Sequence, residues 1–181
     1  MGGLFSQNCF DDYSVRLANE QDTAIVLQLL KDVANWLREK GIQQWGYLGS
    51  GGEDQEINQD ILAGTTYVVE DAQGNIVATF NLSPKQNDWD VEMWGERNDE
   101  AYYLHRLAVA RGHHNQQIGK RLLRWIDDNM LMNDGYLRLD CVAGNPVLND
   151  YYQQAGFTFS GYTGEGEDKF SKYEKPLSRK A

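Results

Sequence analysis

The chain has 181 residues, 41 % of them hydrophobic, and its 27 acidic residues against 17 lysines and arginines give a net charge of −10. This length and apolar content predict one domain with a sizeable core, the acidic balance disfavours binding to nucleic acid, and no apolar run is long enough to span a bilayer. The two cysteines, Cys9 and Cys141, lie far apart, so the sequence favours a reduced, cytoplasmic protein without a disulfide framework.

The first half of the chain predicts a strand, two helices and a hairpin. A leader at 1–12 is expected to be poorly ordered, and alternating apolar residues then predict a strand at 13–18. Asn19 is a plausible N-cap for a helix that stops at Gly41, a residue able to take a left-handed cap. The other elements of this half are a helix at 55–63 and strands at 65–70 and 76–82, joined by the turn sequence DAQGN.

A polar segment at 84–100 interleaves acidic residues with Trp89 and Trp94. A run of charge of this kind is usually a solvated loop. The functional alternative is a negative, aromatic-lined mouth that attracts a cationic amine and stacks on it.

The segment at 101–128 is predicted as a buried strand, a polar loop and an amphipathic helix. It has no acidic residue before Asp127, yet it carries all three histidines of the chain. The first N–H groups of a helix have no intrahelical partner and the helix dipole favours negative charge, so the loop-to-helix junction can bind phosphate. A focused positive site in an acidic protein suits a small polyanion better than a nucleic acid.

The last part of the chain predicts a strand at 136–142, a helix at 146–155 and two closing strands at 157–162 and 169–175. Strands that alternate with helices, with hairpins at both ends, indicate a mixed sheet covered by helices on both faces. The sequence therefore predicts an α/β (α+β) fold.

Two motifs in this half resemble the GNAT acyltransferase superfamily. The strand LHRLAV and the helix start QQIGKRLL are similar to its cofactor-binding strand and its Arg/Gln-x-x-Gly-x-Gly/Ala pyrophosphate loop. His114 stands at the Arg/Gln position, Gln117 at the first glycine and Gly119 at the second. The segment LRLDCVAGNPVLNDYYQQAGF resembles the next strand and helix of the family, with Asn145 and Tyr152 at their places, and WLREKGIQQW is similar to its opening.

The resemblance implies a single domain at 13–176 with a tail at 177–181, built on a mixed, mostly antiparallel sheet of about six or seven strands. It implies an N-acetyltransferase that moves an acetyl group from acetyl-CoA to a primary amine of a small cationic molecule or peptide, by direct attack in a ternary complex. The expected acetyl-CoA-binding residues are Leu107, Ala108, Val109, His114, Asn115, Gln116, Gln117, Ile118, Gly119, Lys120, Asn145 and Tyr152.

Acyl transfer needs a neutral amine and a proton for the leaving thiolate. The resemblance places Tyr152 at the thioester sulfur as the general acid, with simple helix packing as the alternative. His105 is a possible base because imidazole titrates in the useful range, and Glu100 and Glu92 are further candidates. His105 and Leu107 are two residues apart on a strand, so they are expected to share a face.

Four tryptophans are expected to line the acceptor pocket, with core or lid packing as the alternative. They are Trp36, Trp45, Trp89 and Trp94. No metal is expected, because no carboxylate or thiol stands at ligand spacing from His113 and His114. The expected assembly is a monomer or homodimer, with no nucleic-acid or membrane partner.

A second class of function stays open beside the enzyme. Gln117 replaces a glycine of the pyrophosphate loop and His114 replaces its Arg/Gln, which is compatible with a degenerate family member that binds CoA or a partner without turnover. Nucleic-acid binding through the arginine-rich helix is disfavoured by the net negative charge.

Overall fold

The computed structural model describes residues 4–41, 51–112, 117–131 and 134–177, which form eight strands and five α-helices. The strands are β1 (Cys9–Phe10), β2 (Tyr13–Leu17), β3 (Thr66–Glu70), β4 (Ile76–Ser83), β5 (Ala101–Val109), β6 (Tyr136–Val142), β7 (Thr158–Thr163) and β8 (Phe170–Pro176). The helices are α1 (Thr23–Glu39), α2 (Asp54–Leu62), α3 (Asp88–Trp94), α4 (Ile118–Asn129) and α5 (Pro146–Gln154).

All eight strands belong to one sheet, in the order β1-β2-β3-β4-β5-β6-β8-β7. Every neighbouring pair in it is antiparallel except β5 and β6, which run parallel. The predicted fold class is therefore confirmed, with one strand more than expected because the two-residue β1 carries too little pattern to be recognised.

Helices cover both faces of the sheet. On one face α4 and α5 pack over a core that includes Ile118, Leu122 and Ile126, which recur every four residues on one stripe of α4. On the other face α1 and α2 form a second core, and α3 forms a third beside the start of β5. Burial of each such apolar side chain contributes about 1.5–3 kcal/mol. In the described ranges, no helix has both the length and the apolar character needed to cross a bilayer.

Local sequence signals place the beginning and end of the first long helix as predicted. The side chain of Asn19 accepts a hydrogen bond from Gln21 N, and Asp22 completes a capping box around the 3₁₀ turn Glu20–Asp22 that leads into α1. At the other end Gly41 has a φ of 74° and donates to the carbonyl of Arg38. A left-handed residue satisfies helix-end carbonyls, and glycine takes this conformation without a Cβ penalty.

The leader is packed from Leu4 onward, which corrects the expectation of a poorly ordered segment. The ring centroid of Phe5 lies 5.4 Å from that of Tyr67 and 4.4 Å from that of Trp125. The backbone N–H of Ser6 donates to the carbonyl of Asn129. Cys9 is exposed and Cys141 is buried, and both are free thiols, as predicted. The leader therefore covers part of the core under α4.

The acidic segment is also more structured than a solvated loop. Residues 88–94 form α3, which Asn87 caps through a hydrogen bond from Asp90 N. Asp90 is only 1 % exposed, and Met93 and Trp94 are buried against β5. Helix α3 thus carries a buried carboxylate toward the middle of the sheet.

Candidate active site

The two central strands separate partway along their length. β5 and β6 are paired only from Ala101↔Tyr136 to Tyr103↔Arg138, although β5 continues to Val109 and β6 to Val142. Beyond Tyr103 and Arg138, no register pair joins these two fully described strands. The facing backbone edges form an open split, which is a site where an extended ligand can pair with main-chain groups.

A β-bulge lies on β5 at the level of the split. Thr79 pairs with Ala108 and Asn81 with His105, so one residue of β4 faces two residues of β5, Arg106 and Leu107. Arg106 has a φ of 52°, in the left-handed region that non-glycine residues rarely adopt. Three carboxylates hold its guanidinium: Asp60 in a close ion pair, Glu53 at 3.5 Å and Glu56 at 3.8 Å.

The bulge overturns the expectation that His105 and Leu107 share a face. Leu107 packs with the core under α4, whereas His105 contacts Asp90 of α3 on the opposite face of the sheet. The extra residue shifts the alternation of side chains by one position. His105 therefore faces α3, and Leu107 does not lie beside it.

Helix α4 begins at the loop side of the split, and no described residue caps it with a side chain. Gln117 is its N-cap residue, has a φ of 56° and makes no capping bond, and its side chain is exposed. A positive φ costs a side-chain-bearing residue about 1–2 kcal/mol, so this position suits the glycine that stands here in the resembling family. The first turn, with Ile118, Gly119 and Lys120, contains no acidic residue. His114, Asn115 and Gln116 lie outside the described residues.

Gly119 is required by the close approach of another side chain. A methyl group at residue 119 would lie 3.0 Å from Oη of Tyr151 and 3.7 Å from Val109. Tyr151 itself is half-buried and packs edge-on against Tyr152 at 5.4 Å. The hydroxyl of Tyr151 thus fills the space over the first turn of α4.

We expect Gly119→Ala to lower the free energy of unfolding or leave it unchanged in the natural background, and to raise it by about 0.5–1 kcal/mol in a Tyr151→Phe background. Alanine is favoured over glycine in a helix by about this amount, but the gain is lost where the methyl group meets the hydroxyl. Urea unfolding of the four proteins measures the coupling. Equal effects of Gly119→Ala in the two backgrounds would contradict this account.

Asn145 connects the end of β6 to α5, and its side-chain oxygen and nitrogen have different surroundings. Its Oδ1 accepts a hydrogen bond from Leu148 N at 3.1 Å, so it is the N-cap of α5. It is 7 % exposed, and its Nδ2 has no hydrogen-bond partner among the described residues. A buried amide donor without a partner is costly, and it suits a ligand that brings an acceptor.

Tyr152 projects from α5 toward the face of β6 that carries Cys141. Its ring lies 6.1 Å from Phe157 and 6.0 Å from Tyr173, and it is packed against the core under α4. Burial raises the pKa of Tyr152 well above its usual range, and Cys141, Tyr151 and Asp140 add to the shift. Burial, together with the charge of Asp140, also raises the pKa of Cys141 to about 12. Both groups therefore hold their protons at neutral pH, and the buried thiol is a poor nucleophile.

The other face of the split carries a cluster of Asp90, His105 and Asp140, contributed by α3, β5 and β6. His105 Nε2 lies 2.8 Å from Oδ1 of Asp90, and neither atom makes a hydrogen bond to another described residue. Asp140 accepts from Nε1 of Trp89 at 3.2 Å on each oxygen. Burial lowers the pKa of His105, but the contact with Asp90 and the charges of Asp90 and Asp140 outweigh it, so the pKa is raised overall.

The remaining predicted site residues occupy different surroundings. Trp36 lies in a cleft of about 770 Å³ between α1 and the end of β5, with the Arg111 guanidinium 5.9 Å from its ring. Trp45 lies outside the described residues, and Trp94 is buried against the guanidinium of Arg138. Glu92 is exposed on α3. Glu100 is exposed just before β5, at the closed end of the split, where its carbonyl accepts from Tyr136 N.

Three residues of the site were not singled out in the sequence, although Asp90 belongs to the acidic segment whose functional alternative was a mouth that attracts a cationic amine. Arg106 stands at the bulge, Asp90 contacts His105, and Asp140 lies across the split. Asp90 carries one local signal, since Asn87 and Asp90 have the spacing of a capping box that begins a helix. Arg106 and Asp140 reach the site through strand pairing, which no local sequence pattern indicates.

Comparison with known proteins agrees with this architecture. A family model described as "Acetyltransferase (GNAT) domain" matches residues 63–159. The chain is 33 % identical, over 84 % of its own length and 85 % of the relative, to YesJ of Bacillus subtilis (strain 168), an uncharacterised N-acetyltransferase.

Two solved structures extend the comparison. A GNAT-family acetyltransferase of Listeria monocytogenes 4b F2365 superposes with a TM-score of 0.76 at 30 % identity, over 91 % of this chain and 95 % of that one. Spermidine N-acetyltransferase of Vibrio cholerae, in complex with CoA and spermine, has a TM-score of 0.57 at 14 % identity, over 92 % and 96 %. At that identity the second likeness shows the fold alone.

Proposed function

The chain belongs to the GNAT family of acetyltransferases and is an acetyl-CoA-dependent N-acetyltransferase; we propose that its acceptor is a primary amine of a small cationic molecule or peptide. We propose further that the amine attacks directly in a ternary complex. The observation that carries the proposal is the split between β5 and β6, with Tyr152 on one face of the sheet and His105 on the other.

The residues around the split fit acetyl-CoA. The uncapped first turn of α4 offers amides to a diphosphate, and the unpaired edge of β5 at Leu107, Ala108 and Val109 offers main-chain groups to the pantetheine. Asn145 adds a buried donor that has no partner in the described part of the chain. When bound, acetyl-CoA supplies an acetyl group activated as a thioester.

The positions of the two titratable groups suit transfer without a covalent enzyme intermediate. His105 can take the proton that the amine loses as its bond to the acetyl carbon forms, and Tyr152 can donate the proton that the sulfur gains as the carbon–sulfur bond breaks. Cys141 is the thiol near the split, and its raised pKa and burial make acyl transfer through it unfavourable. Direct attack is therefore the favoured route.

A cationic acceptor suits the charge of this face. The protein carries a net charge of −10, and Asp90, Asp140 and the exposed acidic residues of α3 lie on the side where His105 points. Fields of this sign concentrate cations at a cleft. The spermine bound with CoA in the Vibrio cholerae structure is a polyamine, a molecule of the same chemical type as the proposed acceptor.

The test is thiol release from acetyl-CoA in the presence of spermine, a lysine-containing tetrapeptide, propylamine or a neutral alcohol. We expect release with one or more of the amines and none with the alcohol. Titration of CoA by calorimetry runs beside it. Saturable CoA binding with no thiol release for any amine would contradict turnover and favour a CoA-binding module without activity.

A further inference from the structure

A half-buried carboxylate, which no lysine or arginine of the described ranges pairs with, lies on the acceptor side of the split. Asp140 is half-buried on β6, and none of the lysines and arginines in the described ranges lies within ion-pair distance of it. Lys172, its cross-strand neighbour on β8, places Nζ 5.4 Å from the ring of Trp94 instead. Burial raises the pKa of Asp140, with His105 and the Trp89 N–H opposing and Asp90 adding to the shift.

The neighbours of Asp140 are arranged as a receptor for a positive charge. Trp89 donates to both of its oxygens, and the indole is 36 % exposed and edge-packed on Phe170 at 4.9 Å. Aromatic faces attract ammonium groups by about 0.5–2 kcal/mol. A carboxylate and an exposed indole thus present two groups that bind a cation.

Asp90 lies behind His105 in a fixed position. Its Oδ2 accepts from Asn87 N at 3.1 Å, which leaves Oδ1 directed at His105 without a hydrogen bond of its own. A carboxylate beside the imidazole stabilises the imidazolium that forms when the ring accepts a proton. The charged groups that act on the imidazole from the surrounding elements are Asp90, Asp140, Arg106 and Glu53.

We propose that Asp90, His105 and Asp140 form the amine end of the acceptor site, in which Asp140 and the indole of Trp89 bind the ammonium and Asp90 is the positioning residue of His105. The bound ammonium passes one proton to neutral His105, which becomes the imidazolium, and the amine keeps the electron pair for attack. This inference rests on the proposed function and adds the residues that recognise the acceptor.

The first test is kinetic. We expect Asp140→Asn to raise the KM for spermine by about tenfold or more, the size of one charged hydrogen bond, with kcat and the KM for acetyl-CoA changed much less. Asp128→Asn, an exposed carboxylate at the far end of α4 from the split, is the control and should leave all constants unchanged. An unchanged KM for spermine in Asp140→Asn would overturn the assignment of Asp140.

The second test measures the titration of His105 directly. NMR titration of the ring signals, assigned with His105→Gln among the three histidines, should show a lower pKa of His105 in Asp90→Asn, because burial remains while the carboxylate charge is gone. The acid limb of kcat/KM should move to lower pH with it. An unmoved His105 titration would overturn the role of Asp90.

Two outcomes separate the inference from its premise. If the natural protein releases no thiol with any amine, the proposed function fails and the kinetic test does not arise, whereas the NMR titration still reports on Asp90. A different result would identify a metal site in place of the ammonium site. The natural protein would bind Zn²⁺ stoichiometrically, Asp90→Asn, His105→Gln and Asp140→Asn would each lose this binding, and the KM for spermine would be unchanged in Asp140→Asn.

Discussion

Replacement of Tyr152 by phenylalanine is expected to lower kcat for acetyl transfer by about 10²–10⁴-fold, the usual contribution of a positioned general acid. The phenol projects from α5 to the face of β6 that carries Cys141, and with its raised pKa it carries a proton at neutral pH. The substitution removes only the hydroxyl, so the ring contacts with Phe157 and Tyr173 remain. The affinity for CoA should change little, and the loss should appear in single-turnover rates.

The adjacent tyrosine provides the control for this prediction. Tyr151→Phe removes a hydroxyl one residue away, over Gly119, and we expect its kcat to stay within a few-fold of the natural value. Equal losses in the two variants would indicate that the helix, and not the proton of Tyr152, governs the rate. An unchanged kcat in Tyr152→Phe would assign the proton to another donor, such as water.

Loss of the Arg138 side chain is expected to destabilise the fold by about 3 kcal/mol, the lower end of the range for breaking a buried ion pair. Arg138 is 1 % exposed, and its guanidinium donates to both oxygens of Asp99 at 2.9 and 2.6 Å and to Glu174 at 3.0 Å. It also lies 5.2 Å from the ring of Trp94 and 4.9 Å from that of Tyr136. The two carboxylates are partly exposed, so water can solvate them in the variant, which limits the cost.

Urea unfolding of Arg138→Ala measures this effect, and an exposed arginine provides the comparison. Arg124 is 87 % exposed in its side chain and 3.8 Å from Asp128, and its replacement by alanine should change the free energy of unfolding by less than about 0.5 kcal/mol. Arg138→Lys should recover only part of the loss, because an ammonium cannot reproduce the planar contacts to two carboxylates and the rings. A loss below about 1 kcal/mol in Arg138→Ala would contradict a stabilising role.

The parts of the fold that the sequence predicted well depend on neighbours in the chain. Asn19 caps its turn through residues two and three positions away, and α4 shows its buried stripe in its own spacing. Asn145 and Tyr152 were located by a motif that lies within a single strand and helix. Their roles toward acetyl-CoA stay predictions.

The parts that were missed depend on residues far apart in the chain. Asp90 was placed in a solvated loop because its burial requires His105, which belongs to another element. The bulge was missed because an arginine with positive φ has no sequence signature, and Arg106 is held there by carboxylates near residues 53–60. Phe5 was assigned to a poorly ordered leader because its aromatic partners lie on β3, β4 and α4.

The short pairing of β5 with β6 divides the sheet into a five-stranded part and a three-stranded part. Three residue pairs join the two parts. A molecule that bonds to both free edges takes the place of the strand that would otherwise continue the join. Such a molecule stabilises the native state by mass action, by about 2.7 kcal/mol at one hundred times its Kd. The midpoint of thermal denaturation is therefore expected to rise with the fraction of the protein that has such a molecule bound between the two parts of the sheet.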